Sequence, residues 1–233
     1  MLKCLNTPKN LAILLSFTCA LLSLHTSLAQ TRKDSLIVFV GEKISVVEDP
    51  EEERGWIIDS VVIKGKDTVV SQHVDLSFNR RFRAKYRILE IVHGSYTADT
   101  IEFLAYVHEG PLAFDNYSNV LLFVSNHGGQ LYHEKYQFFD VYKAQNGKWA
   151  SPYPTADYNH PFKDCITVKP EKINFPQELK YSLKPTLQVM RRQDYTAPFY
   201  RIVGEYAVPV YGNYVKDLLK LKMETTLKAR GIF

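Results

Sequence analysis

The chain has 233 residues, 45% of them hydrophobic, and 29 Lys and Arg against 25 Asp and Glu give a formal net charge of +4. Ordinary apolar content lets a chain of this size be stabilised by its own core, as one large or two small domains. The near-balance of charge argues against a dedicated nucleic-acid binder, whose domains carry a clear basic excess, and three cysteines do not make a disulfide framework.

Lys3 and Lys9 form a positive leader, and Leu11 to Leu24 is an apolar run. Ser27-Leu28-Ala29 then places small residues around a signal-peptidase cut. The pattern predicts residues 1–29 as a signal peptide cleaved after Ala29, and a mature chain that is periplasmic or secreted. Ser16-Phe17-Thr18 is a poor lipobox for Cys19, so lipidation is not expected. Cleavage lowers the net charge to about +2 and leaves Cys165 as a single thiol, without a partner for an intramolecular disulfide. No later run approaches the roughly 18 apolar residues that a membrane span needs.

Leu36 to Val47 is β-branched and aromatic, with Gly41 inside it, and reads as a first strand bent at that glycine. The acidic run Glu48 to Glu53 should be a solvated loop. Trp56 to Ile63 and Thr68 to Val70 flank a polar turn at Lys64 to Asp67 and read as a hairpin. From Phe82 to Val92, Phe82, Ala84, Tyr86 and Ile88 alternate with Arg83, Lys85 and Arg87. This is the two-residue period of a long strand with one face in a core, ending at His93-Gly94. Asp99 to Val107 and Val120 to Val124 are apolar on both alternating sets and should be covered on both faces.

Gly128-Gly129 marks a flexible loop over Asn126 to Gln130. Tyr136 to Lys143 reads as a strand turning at Asn146-Gly147 into Lys148-Trp149-Ala150. Prolines at 152, 154, 161, 170, 176 and 185 forbid any long regular element over Ser151 to Lys184. Val215, Leu218, Leu219, Met223 and Leu227 recur at helical spacing. Asn213 is the expected N-cap, Gly231 the stop, and the apolar stripe is expected to pack on the chain's own core.

The segments Val38 to Val46, Phe82 to Gly94, Ile101 to Tyr106 and Val120 to Ser125 together resemble the tissue-inhibitor-of-metalloproteinases and netrin-module superfamily. The resemblance covers the first half of the mature chain and implies an OB-like barrel and a secreted binding role. Inhibitors of that superfamily chelate a protease zinc through an N-terminal cysteine. Here the mature chain begins Gln30-Thr31-Arg32, and the superfamily's disulfides are missing. No inhibitory residue is carried over.

The expected fold is mainly β: an OB-like, netrin-module-like antiparallel barrel over 30–150, then a proline-rich irregular segment and a C-terminal amphipathic helix over 151–233. The candidate ligand face is the ladder Arg81, Arg83, Lys85 and Arg87 on the outward side of the central strand, with Tyr106 beside it. On OB barrels, oligonucleotides and oligosaccharides bind across such strands, whereas the plain alternative is a solvated face that blocks edge pairing. Tyr195, Phe199, Tyr200, Tyr206, Tyr211 and Tyr214 either offer a stacking surface or close the barrel end. His108, His127 and His133 lie near loops but lack a zinc-binding spacing, and Cys165, near His160 and Asp164, reads as a buried inert thiol.

No nucleophile elbow, P-loop or dinucleotide fingerprint is present, so no cofactor and no catalysis are expected. These features point to an exported, non-enzymatic binding module with a protein or glycan partner in the cell envelope or medium. A metal-dependent hydrolase using the loop histidines is the alternative of a different class, and an acidic glycan or nucleic acid held by the basic face is a third.

Overall fold

A computed structural model of the chain describes residues 36–49, 57–64, 67–73, 79–184 and 195–233. The expected signal peptide and most of the acidic run lie outside the described residues.

The first strand, β1 (Leu36–Glu48), is followed by the hairpin β2 (Ile57–Lys64) and β3 (Asp67–His73), a separate two-stranded sheet. The strands β4 (Arg80–His93), β5 (Thr100–Val107), β6 (Asn119–His127) and β7 (Gln130–Asp140) join β1 in a closed barrel of order β1-β4-β5-β7-β6. The barrel is OB-like, as the strand pattern predicts, but it is not wholly antiparallel. A ring of five strands cannot alternate direction all the way round. The one parallel seam falls between β5 and β7, where Leu104 faces Tyr132.

Alternation along β4 is as read up to Tyr86. Phe82, Ala84 and Tyr86 are buried, whereas Arg83, Lys85 and Arg87 are exposed. The buried set joins Phe39, Ile101, Phe103, Phe114, Leu122 and Val124 in the barrel interior. Phe114 comes from a 3-10 turn, Ala113–Asn116, between β5 and β6. Large rings thus make up much of the interior, which is where an OB-sized barrel derives its cohesion.

Gly41 sits where the β1–β4 register shifts, and a Cβ there would lie 2.7 Å from the Phe39 ring and 3.1 Å from Tyr86. The bend is therefore a close approach of β1 backbone to core rings. Gly94 ends β4 at φ 75°, with space for a Cβ blocked 2.5 Å away by the Leu36 carbonyl oxygen. Gly94→Ala combines left-handed strain with that contact and is expected to cost about 2 kcal/mol, measured by urea unfolding.

The outer face of β1, β6 and β7 is covered by the C-terminus. Leu36, Val38, Val40, Leu121, Phe123 and Phe139 pack against Val215, Leu218, Leu219, Leu227 and Ile232. This is why β6 is apolar on both sides. On β5 only part of the outward face is covered, since Thr100 and Glu102 are exposed.

Beyond the barrel the prolines leave only short pieces: β8 (Tyr142–Lys143), β9 (Trp149–Pro152), α1 (Thr155–Tyr158), β10 (Glu171–Lys172) and β11 (Tyr181–Ser182). After them come β12 (Tyr200–Val203), β13 (Tyr206–Pro209) and β14 (Tyr211–Tyr214). They form two small sheets, β10-β14-β9-β8 and β11-β13-β12. The Asn146-Gly147 turn joins β8 to β9, with the Gly147 N–H donating to the Ala144 carbonyl.

Two helices end the chain, α2 (Val215–Glu224) and α3 (Thr226–Ala229), separated at Thr225, whose hydroxyl donates to the Leu221 carbonyl at 2.6 Å. Asn213 is not the N-cap. It lies in β14 with its side chain buried, accepting from the Tyr158 hydroxyl at 3.1 Å and donating to the Lys169 carbonyl. Gly231 stops the helix at φ 65°.

The hairpin β6–β7 corrects a second expectation. Asn126 to Gln130 is a tight two-glycine turn, so β7 begins at Gln130 and not at Tyr136. Tyr136 instead marks a bulge, with φ 66°, where the β6–β7 register shifts. A glycine pair read as flexibility is here a turn between two long strands.

Candidate functional site

The outward face of β4 and β5 carries the candidate residues in one ladder. In register, Arg81 stands opposite Tyr106, Arg83 opposite Leu104, Lys85 opposite Glu102 and Arg87 opposite Thr100. All five expected residues therefore share one face. That face continues across the parallel seam, because Tyr106 stacks on Tyr132 of β7 with ring centroids 6.4 Å apart and planes 25° apart. His127, at the Gly128-Gly129 turn, lies 5.8 Å from Tyr132 in turn. Tyr132 was hidden in the sequence because the first half of its strand was not recognised, and His127, at the end of β6, reads there as a loop histidine and not as part of this face. The aromatic strip thus runs Tyr106, Tyr132, His127 beside the cations.

The cations themselves are mostly engaged. Arg80 makes a bidentate pair with Glu48, at 2.8 and 2.6 Å, and also donates to the Gly110 carbonyl. Arg83 pairs with Asp49 at 2.8 Å and with Glu102 at 3.1 Å. Arg81 donates to the Asp49 carbonyl at 2.7 Å and lies 3.5 Å from its carboxylate. Arg87 pairs with Glu42. Hydrogen bonding to Arg80 holds the Glu48 carboxyl below its ordinary range, and bonding to Glu102 followed by the Asp49 charge holds Arg83 above its own.

Glu48 and Asp49 open the acidic run read as a solvated loop, and in the structure they close over the basic ladder. Four of the five cations, Arg80, Arg81, Arg83 and Arg87, pair with four carboxylates, Glu42, Glu48, Asp49 and Glu102, and Lys85 stands opposite Glu102 in register. Exposed pairs of this kind contribute little to stability, but they cancel the field that a polyanion would need. What remains is a dense, nearly neutral array of planar donors and acceptors beside half-exposed rings.

The other sequence candidates lie elsewhere. His133 is buried inside the barrel, with Nε2 2.8 Å from the Gln137 carbonyl oxygen and its ring 4.8 Å from Phe114. His108 and His127 are exposed. Among the described residues no three His, Cys, Asp or Glu side chains are grouped to hold a metal ion. Cys165 is half-buried and disulfide-bonded, and not the buried inert thiol expected.

The C-terminal rings hold the wrap together. Tyr153 stacks on Phe199 at 3.5 Å and on Tyr158 at 4.8 Å, and Tyr195 stacks on Tyr181 at 5.2 Å. The Tyr181 and Tyr142 hydroxyls both donate to Asp140 at the end of β7, at 2.7 and 3.1 Å. Burial pushes the Asp140 carboxyl above its usual range, against the lowering effect of those two hydrogen bonds. These rings are spent on contacts within the proline-rich segment and its small sheets, and not on closing the barrel end.

Comparison with protein-family models, curated proteins and solved structures gives no match to this chain. The likeness to the netrin-module superfamily therefore rests on the strand pattern and on a closed five-strand barrel compatible with an OB-like fold. Among the described residues no helix is long and apolar enough to cross a membrane.

Proposed function

We propose that the protein is an exported, non-enzymatic binding module that holds a glycan of low net charge on the outer face of β4 and β5. The observation that carries this reading is the co-location of Arg81, Arg83, Lys85 and Arg87 with the strip Tyr106, Tyr132 and His127. Partly exposed rings pack against the C–H surface of a sugar, and guanidinium and carboxylate groups bond its hydroxyls in pairs. The cancelled charge disfavours a nucleic acid or a strongly acidic glycan, because neither would release enough counterions from this face. The same face is the one that OB barrels use for oligosaccharides.

The test is retention of envelope material by the mature chain, residues 30–233, with glycan analysis of what is held. Tyr132→Ala is expected to lower retention about tenfold, the loss typical of a central aromatic contact, and Tyr106→Ala somewhat less. Retention should fall only shallowly with salt. Unchanged retention in the double variant would remove the aromatic strip from the reading. Steep salt dependence abolished by Arg83, Lys85 and Arg87 to alanine would replace the neutral glycan with a polyanion, and a retained protein free of glycan would replace it with a protein partner.

A further inference from the structure

Inside the barrel, Tyr86 Oη and His133 Nδ1 are buried and have no hydrogen-bond partner among the described residues. Both rings pack on the same two neighbours. Tyr86 lies 5.9 Å from Phe103 and 6.1 Å from Phe114, and His133 lies 6.2 and 4.8 Å from the same pair. A third buried atom, Gln137 Oε1, is also unpartnered, but its amide belongs to the bulge, where Gln137 Nε2 and Arg230 both donate to the Lys135 carbonyl.

The two interior atoms are chemically complementary. His133 Nε2 faces the Gln137 carbonyl, which can only accept, so Nε2 carries the proton and Nδ1 presents a lone pair. Burial raises the Tyr86 hydroxyl, which therefore stays protonated and is a donor in search of an acceptor. Apolar filler would leave both unpaired, which native interiors avoid. A molecule that accepts from one and donates to the other satisfies both, and the smallest that does so is water.

We infer that the barrel interior is a built hydration site, in which ordered water accepts the Tyr86 hydroxyl hydrogen and donates to His133 Nδ1. Phe103 and Phe114, the latter from the 3-10 turn Ala113–Asn116, pack against both rings and supply the apolar wall of the site. Buried waters of this kind bridge polar groups that the fold cannot pair directly.

A crystal structure of the mature chain at a resolution that shows ordered water, with unfolding of Tyr86→Phe alongside, tests the inference. Density within hydrogen-bonding distance of both atoms is expected. The folding equilibrium constant of Tyr86→Phe should fall about fivefold, because the phenylalanine strands the water. A dry interior overturns the inference. So does a Tyr86→Phe variant as stable as the parent or more stable, which is what deletion of an unbonded buried hydroxyl produces.

Discussion

Replacing Asp157 by alanine is expected to destabilise the protein by about 3–5 kcal/mol, the range seen when one member of a buried ion pair is removed. Asp157 pairs with Lys222, and the two side chains are only 14% and 7% exposed. Lys222 projects from α2 toward the barrel, with its ammonium 4.8 Å over the Phe139 ring, while Asp157 comes from α1 in the proline-rich segment. The pair thus ties three parts of the chain together at one point. Loss of the carboxylate leaves a buried ammonium with only a ring face beside it, and that is the source of the cost. The combined substitution Asp157→Leu with Lys222→Met removes both charges and should recover most of the loss. Urea unfolding of the two variants checks this. A single variant within about 1 kcal/mol of the parent would mean that the ammonium finds water, and the pair would then be a surface contact.

The barrel was legible because its signal is local. Alternation along this strand assigns each side chain to a face and so collects Arg81, Arg83, Lys85 and Arg87 on one surface, which Tyr106 joins through the β4–β5 pairing. What the sequence did not disclose is pairing at long range. Glu48 and Asp49 read as solvated charge because nothing near them names a partner, yet strand pairing carries them to Arg80, Arg81 and Arg83, more than thirty residues away. Tyr132 was missed for a different reason. The bulge at Tyr136 interrupts the alternation of β7, so the apolar pattern restarts after it and the strand's first half looks like a loop. Asn213 had the composition of a cap and the position of one, but a buried hydrogen bond from Tyr158 competed for it and prevailed. Lys222 shows the same limit: helical spacing gives no reason for a lysine on the buried side, and its explanation lies in Asp157, far off in sequence.

Stability should also fall between pH 6.5 and pH 4 by about 3 kcal/mol on account of one residue, His133. Burial lowers this imidazole from 6.5 to about 4, the hydrogen bond to the Gln137 carbonyl resists the shift, and the Arg230 charge adds to it. The sign follows from proton uptake. Below pH 6.5 the unfolded chain binds a proton at this histidine and the native chain does not, so acid favours the unfolded state until the native imidazole itself charges near pH 4. Other groups face the same region. Glu134 is buried on the next residue, accepting from Ser125 at 2.6 Å, with Arg230 at 3.4 Å, and the Tyr86 hydroxyl stays protonated throughout the window. Asp140 acts in the opposite sense, since a carboxyl raised by burial takes up a proton on the native side first and stabilises it as pH falls. The readout is therefore the difference between the parent and His133→Leu, measured by urea unfolding at pH 7, 5.5 and 4. The leucine variant should be less stable at pH 7, where it loses the bond to Gln137, and the gap should close or reverse by pH 4. A gap that is constant over the three values would show that His133 charges in the native barrel as readily as in the unfolded chain. The wall of Phe103 and Phe114 around it would then be open to solvent, and the interior would be a wet channel.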